Sequence, residues 1–335
     1  MLDLFSGIGG FHKGFEQAGY KFDWVGFSEI DKYASAVYKH RFPKAVELGD
    51  ITTIQPERDL PDHIDFICGG FPCQSFSMAG KRQGFDDTRG TLFFEIARIL
   101  RHYRDAKSPI DYFLLENVKG LLSHDNGRTF ATIYGVLTNL GYSVEFQLLN
   151  TRWWLPQNRE RIYLVGYIGD RSGSKVFPIG EDGGTYNVNQ TRTKSKTKLC
   201  TAITTREGGR KENNFVIVDK QSDMDLIKLK QIGTIGKDSE ATRVYDTTCA
   251  RTIKNGGGMG AKTGLYQTNS SIRRLTPVEC CRLQGFPDDW NEFGEFDGKV
   301  VPMSDTQRYK QCGNAVTVNV VQAVAERINK IGYTR

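Results

Sequence analysis

The chain has 335 residues, a formal net charge of +6 and a pI near 8.8. That length gives one large domain or two modest ones with a sizeable core, and the mild basicity is compatible with a polyanionic partner. No apolar run approaches a membrane span and no signal peptide opens the chain, while seven cysteines without C-x-x-C or other metal spacing read as reduced thiols of a cytoplasmic protein.

Leu2–Phe5 reads as a short apolar strand, followed by Ser6-Gly7-Ile8-Gly9-Gly10 and a helical pattern from Phe11 to Gly19. Strand, glycine-rich turn and helix in that order open a nucleotide-cofactor fold. A second strand, Trp24–Phe27, ends in Ser28-Glu29-Ile30-Asp31. An acidic residue there binds both ribose hydroxyls of an adenosine cofactor, which suits Glu29, while Asp31 is placed to cap a helix over Lys32–His40. Asp50, in Gly49-Asp50-Ile51, reads by itself as a solvated loop carboxylate.

The strand Ile64–Cys68 then runs into Gly69-Gly70-Phe71-Pro72-Cys73-Gln74-Ser75-Phe76-Ser77. Two glycines and a proline predict a rigid loop at the carboxyl end of a strand, where open α/β sheets place ligands. Most free cysteines are small buried hydrophobes, but a thiol presented on such a loop is a candidate nucleophile. Lys81 to Asp87 is polar, contains glycine and lacks apolar periodicity, so it reads as a mobile loop. An amphipathic helix follows from Arg89 to about Arg101, with Leu92 either core or ligand-facing.

The buried strand Asp111–Leu115 delivers Glu116-Asn117-Val118 at its tip. A carboxylate there is costly without a partner; it is either satisfied by a helix N-terminus or an acid poised by partial burial. A strand over Tyr142–Leu149 precedes Pro156–Arg161 and the strand Ile162–Tyr167. The i, i+2 spacing of Arg159 and Arg161 predicts both guanidiniums on one face, two forks suited to a carbonyl oxygen and a phosphate. From Gly169 to about 270 the chain turns rich in Gly, Thr, Lys, Ser and Asn, which predicts a hinge near 170–180 and a small β-rich unit. Thr201–Ile217 and Ala250–Tyr266 are weakly alike, as an internal repeat or through turn-rich composition. Arg273–Pro287 reads as a structural helix with Thr276 as N-cap, Pro277 in its first turn and Gly285 as its stop. Gln311–Val316 is expected to open a last helix running to about Ile331, where Asn314 alone is an ordinary cap.

Taken together, these stretches closely resemble the DNA cytosine-5 methyltransferases of bacteria and phages, in that family's order and over nearly the whole chain. The loop around Pro72-Cys73-Gln74, the Glu116-Asn117-Val118 tip and the Gln157-x-Arg159-x-Arg161 run carry the resemblance. It implies an α/β fold of the S-adenosylmethionine-dependent methyltransferase type: a mixed seven-stranded sheet with helices on both faces, plus a small β-rich target-recognition domain. The catalytic, cofactor-binding domain would span 1–170 and 303–335 and the recognition domain 175–300, with double-stranded DNA in the cleft. The resemblance further implies that S-adenosylmethionine binds at Phe5, Ser6, Gly7, Ile8, Gly9, Gly10, Glu29, Ile30, Asp50, Ile51, Pro72, Leu92, Asn314 and Ala315. Cys73, Glu116, Arg159 and Arg161 would be catalytic, through a covalent bond from Cys73 to C6 of a flipped cytosine. Gln74, Ser77, Lys81 and Arg82 would meet DNA from the loop. Glu240, Arg243, Thr252, Lys254 and Asn255 are the candidates for DNA contact in a region similar to that of GCGC-type members, although the link is shorter and no aromatic stands beside Gly256–Gly258. The expected protein is a cytoplasmic monomer acting beside a cognate restriction endonuclease. A tRNA-modifying branch of the superfamily shares Cys73 and Glu116 but lacks a long recognition region. A non-catalytic DNA-binding paralogue would not need the complete set of four, and a dinucleotide oxidoreductase would not need the Pro-Cys-Gln loop.

Overall fold

The computed structural model describes residues 1–72, 92–169, 175–180, 229–235, 242–254, 263–268 and 271–330. Strands β1 (Leu2–Leu4), β2 (Gly26–Ser28), β3 (Val46–Glu47), β4 (Phe66–Gly70) and β5 (Tyr112–Val118) pair in parallel. β6 (Tyr142–Asn150), the short β7 (Gln157–Asn158) and β8 (Glu160–Ile168) follow, and β8 lies antiparallel between β5 and β6. The seven-stranded sheet thus runs β3-β2-β1-β4-β5-β8-β6. Its order reverses between β1 and β4, the switch point at which a crevice opens beyond the strand ends.

Helices cover both faces because the inner strands alternate. In β4 and β5, Ile67, Phe113 and Leu115 face one apolar cluster, while Phe66, Cys68, Tyr112 and Leu114 face the other. The crossovers are α1 (Gly10–Gln17), α2 (Lys32–Arg41), the single turn α3 (Pro56–Asp59), α4 (Leu92–Asp105) and α5 (Arg128–Asn139). Asp31 caps α2 as expected, accepting from the Tyr33 and Ala34 amides at 2.9 and 3.3 Å.

A second sheet, ordered β13-β12-β10-β9, is built from β9 (Gln231–Thr234), β10 (Arg243–Tyr245), β12 (Leu265–Gln267) and β13 (Ile272–Arg273). Between them β11 (Ala250–Arg251) pairs in parallel with β7, Ala250 opposite Gln157. Helix α6 (Pro277–Leu283) starts with a full capping box between Thr276 and Glu279. The hairpin β14 (Phe293–Phe296) and β15 (Lys299–Pro302) then lies on α2; a Cβ on Gly294 would come within 3.0 Å of that of Ala36. Both ends of the span expected as the small domain pack on the first half of the chain. Val176, Phe177 and Ile179 are buried with Leu149 and Tyr163, and Cys280, Cys281 and Trp290 are buried with Ile8, Phe27 and Tyr38.

The single last helix expected from Gln311 is two. Helix α7 (Asp305–Asn314) ends where that helix was to begin, and α8 (Val318–Lys330) starts afresh. Ala315 is extended, and the residues of the break bond elsewhere: the Thr317 hydroxyl to Gln284 Oε1, the Val318 amide to the Gln284 carbonyl, the Ala315 carbonyl to Arg159. Two β-branched residues, Val316 and Thr317, add little resistance to breaking the helix there. Among the described residues no helix is long and apolar enough to cross a membrane.

Candidate cofactor pocket and active site

After β1 the chain curls back through Phe5 at φ 52°, Gly7 at 56° and Gly9 at 84°. Only glycine adopts these angles without penalty. Phe5 is held there against a local preference worth about 1–3 kcal/mol, a cost that recurs at ligand sites. The turn closes on Glu29, whose Oε2 accepts from the Gly7 amide and whose Oε1 accepts from the Asp31 amide, both at 2.8 Å. Burial pushes the Glu29 carboxyl above the usual carboxylate range, opposed by those two amides.

A pocket of about 510 Å³ opens beside Glu29 at the switch point. Of the predicted cofactor residues, Phe5, Glu29, Ile30, Asp50, Ile51, Pro72, Leu92 and Asn314 line it. Ser6, Gly7, Ile8, Gly9, Gly10 and Ala315 are not among its walls; Ile8, Gly10 and Ala315 are buried. Asp50 spends Oδ1 on the Thr52 amide at 2.9 Å. Ser28, Asp31, Thr52 and Lys310 also line the pocket and were not anticipated. Lys310 pairs with Asp31 at 2.6 Å. It stands one turn before Asn314 on α7, on the same face, a relation visible in the sequence only once the helix is begun at Asp305.

Glu116 projects from the end of β5, opposite Gly70 in register. Its Oε1 lies 2.9 Å from Arg161 Nε, and both side chains are largely buried. A Cβ on Gly70 would stand 3.2 Å from Glu116 Oε2, so glycine keeps that side of the carboxylate open. Asn117 is buried, donates from Nδ2 to the Phe71 carbonyl at 2.8 Å and accepts from the Val118 amide at 2.8 Å. It thereby fixes the backbone two residues ahead of Cys73.

The Arg159 fork is taken up by carbonyls of the chain itself. That residue lies between β7 and β8, with its amide on Asn150 Oδ1 and its carbonyl on the Thr151 amide. This turns its side chain inward, 3 % exposed, onto the main-chain carbonyls of Ala315, Gly313 and Ile253 at 2.9, 3.3 and 3.4 Å. Burial, with the Arg161 charge second, lowers its guanidinium to about 10.

Cys73, Gln74, Ser77, Lys81, Arg82, Glu240 and Asn255 lie outside the described residues, as do Thr201–Ile217 of the possible repeat and Gly256–Gly258. The described cysteines, Cys68, Cys249, Cys280, Cys281 and Cys312, are all buried. The Cys68 thiol is pushed well up by burial, then by Asp3. Arg243 is half-buried in β10, Lys254 is exposed, and Thr252 donates its hydroxyl to the Asn158 carbonyl at 2.6 Å.

A profile of the C-5 cytosine-specific DNA methylases matches residues 1–330. The chain belongs to that family. The methylase is 41 % identical to the type II methyltransferase M1.ScrFI of Lactococcus lactis subsp. cremoris, over 99 % of its own length and 78 % of that protein. It is 39 % identical to the type II methyltransferase M.HhaI of Haemophilus parahaemolyticus, over 98 % and 93 %. Among solved structures it superposes on the S. pombe Dnmt2 methyltransferase with TM-score 0.63 over 99 % of both chains, at 18 % identity, a likeness of fold. The methylase therefore transfers a methyl group to C5 of cytosine in DNA, by the family's route through a cysteine bound covalently to C6.

Proposed function

We propose that the methylase modifies one cytosine within a short duplex sequence, with S-adenosylmethionine as donor, Cys73 as nucleophile and Glu116 and Arg161 as its partners. The observation that carries this reading is the pocket at the switch point, bordered by Pro72 of the Cys73 loop. Its walls suit the donor. Each Glu29 oxygen accepts one amide and retains a lone pair for a ribose hydroxyl. Ile30, 76 % exposed at the rim, offers an apolar face for an adenine ring. Asp50 Oδ2 is placed to accept from an exocyclic amine, and the Asn314 amide to meet a carboxylate. Bound there, the group supplies a methyl carried by an electrophilic sulfonium.

Cytosine C5 is a poor nucleophile until the ring loses its aromaticity. Cys73 Sγ bonds to C6, and the displaced π pair moves toward C5 and N3. Glu116 stabilises the density at N3 by a hydrogen bond. Arg161, aligned by its pairing with Glu116, presents its remaining N–H groups toward O2. After methylation a base removes the C5 proton and the Sγ–C6 bond breaks, restoring aromaticity. The target atoms lie inside the stack, so the cytosine is flipped out.

Residues 1–170 and 303–335 form the catalytic part in this reading and residues 175–300 read the duplex, with a monomer acting in the cytoplasm beside a cognate restriction endonuclease. A duplex carrying 5-fluorocytosine blocks the final proton removal, so the methylase should form a stable adduct on it in the presence of S-adenosylmethionine. Cys73→Ala should lose the adduct and still bind the cofactor by calorimetry. An adduct that persists in that variant sinks the assignment. Bisulfite sequencing of DNA from expressing cells supplies the target sequence.

A further inference from the structure

Arg159 joins three parts of the methylase. Nη2 donates to the Ala315 carbonyl at 2.9 Å, and Nη1, which carries two N–H groups, donates to the Gly313 and Ile253 carbonyls at 3.3 and 3.4 Å. Gly313 and Ala315 flank Asn314, which lines the pocket. Ile253, 1 % exposed, stands between Thr252 and Lys254. Its segment is tied to the same stretch of chain by the Ala250 amide on the Pro156 carbonyl at 2.7 Å and the Thr252 hydroxyl on the Asn158 carbonyl at 2.6 Å. Two residues on, Arg161 holds Glu116.

The bonding is unusual for a buried cation. No carboxylate pairs with the guanidinium among its described hydrogen bonds, and its buried Nε has no partner. A desolvated charge left to neutral carbonyls is a poor source of stability. The two Nη1 bonds are longer than the ordinary 2.9–3.0 Å. One rigid planar guanidinium spans both acceptors, so a carbonyl that moves and draws the group with it changes the distance to the other. A shift of the 313–315 backbone on filling the pocket would reach Ile253 through this group.

We propose that Arg159 is a positioning residue that couples the cofactor pocket to the Thr252–Lys254 segment, so that occupancy of the pocket sets the affinity for DNA. This rests on the reading above, in which 313–315 borders the cofactor and Thr252–Lys254 meets the duplex. By linkage DNA must then raise cofactor affinity by the same factor.

The test uses the full methylase, S-adenosylhomocysteine and a fluorescent duplex carrying the sequence mapped by bisulfite. Anisotropy gives the duplex affinity with and without saturating S-adenosylhomocysteine, and calorimetry gives the reciprocal measurement. The wild type should show a ratio of about fivefold or more. Arg159→Met should bring the ratio close to one, while each ligand alone binds within a few-fold of wild type. Arg159→Lys keeps the charge and reaches one carbonyl, so it should give an intermediate ratio; it decides the matter if the Met variant fails to fold. A wild-type ratio of one, or an unchanged ratio in the variants, overturns the proposal. So does a slower fluorocytosine adduct at unchanged ratio, which would place Arg159 with the thiolate instead. Failure of the wild type to bind either ligand alone would overturn the underlying reading, and is a separate result.

Discussion

Asp3 is wholly buried in the middle of β1, just ahead of the turn through Phe5, Gly7 and Gly9. Tyr38 donates to its Oδ2 at 3.2 Å and Cys68 to its Oδ1 at 3.6 Å, and Tyr38 also meets His12 Nδ1 at 3.1 Å. Burial pushes the Asp3 carboxyl up to about 8, because the donors only partly offset desolvation. Burial also lowers His12, stacked on Phe42, to about 4. The signs are opposite. From about 4 to 8 the unfolded chain has released the Asp3 proton while the native state keeps it, so this residue makes stability fall as pH rises. Below about 6.5 the unfolded His12 takes a proton that the native ring refuses, so stability is lost as pH falls. Asp3→Asn should therefore flatten the urea-midpoint profile between about pH 6.5 and 8, leave the opposite His12 slope exposed below about 6.5, and give a gain at pH 8 on the order of a few kcal/mol. Profiles that stay parallel would show that Asp3 ionises normally in the native state.

At the scale of elements, two strand ends make the proposed active site. β4 ends in Gly69-Gly70 and β5 in Glu116-Asn117-Val118, and Gly69 is required by close approach. A Cβ on Gly69 would lie 2.6 Å from the Leu4 carbonyl. Asn117 links the two ends through the Phe71 carbonyl. Asn117→Ala leaves that buried acceptor unpaired, at about 1–3 kcal/mol, and frees the backbone that presents Cys73. We expect a matching drop in urea stability, a fall in kcat and unchanged calorimetric affinity for S-adenosylmethionine. A raised KM at constant kcat would instead mean that Asn117 serves binding alone.

Over the whole molecule, the stretch proposed to read DNA is moored by β7–β11 pairing and by the ties at Thr252 and Arg159. Sequence is read only by contacts to base edges; phosphate contacts orient the duplex without discriminating. An exchange of residues 201–248 for those of a relative, leaving Ala250–Ile253 in place, preserves the moorings. The exchanged protein should methylate the donor's sequence when its products are mapped. Retention of the original sequence would leave the exchanged region a structural insert.

Much of this was legible along the chain because its causes are local. Alternation in β4 and β5, the glycines after β1, the Asp31 cap and the Thr276–Glu279 box each depend on neighbours a few residues apart. Those patterns pointed to the family, and the resemblance to it in turn implied the seven-stranded sheet and most of the residues that line the pocket. What they could not supply depended on partners distant in sequence. Helix α7 is cut from α8 because Gln284 and Arg159 capture the groups at the break, so Lys310 was missed and the last helix misplaced. Arg159 follows the alternation expected of a strand, yet three carbonyls from two other segments turn it into the core. Periodicity specifies which side chains are apolar and which face they share; where a buried polar group finds its partner is decided only when the chain has folded.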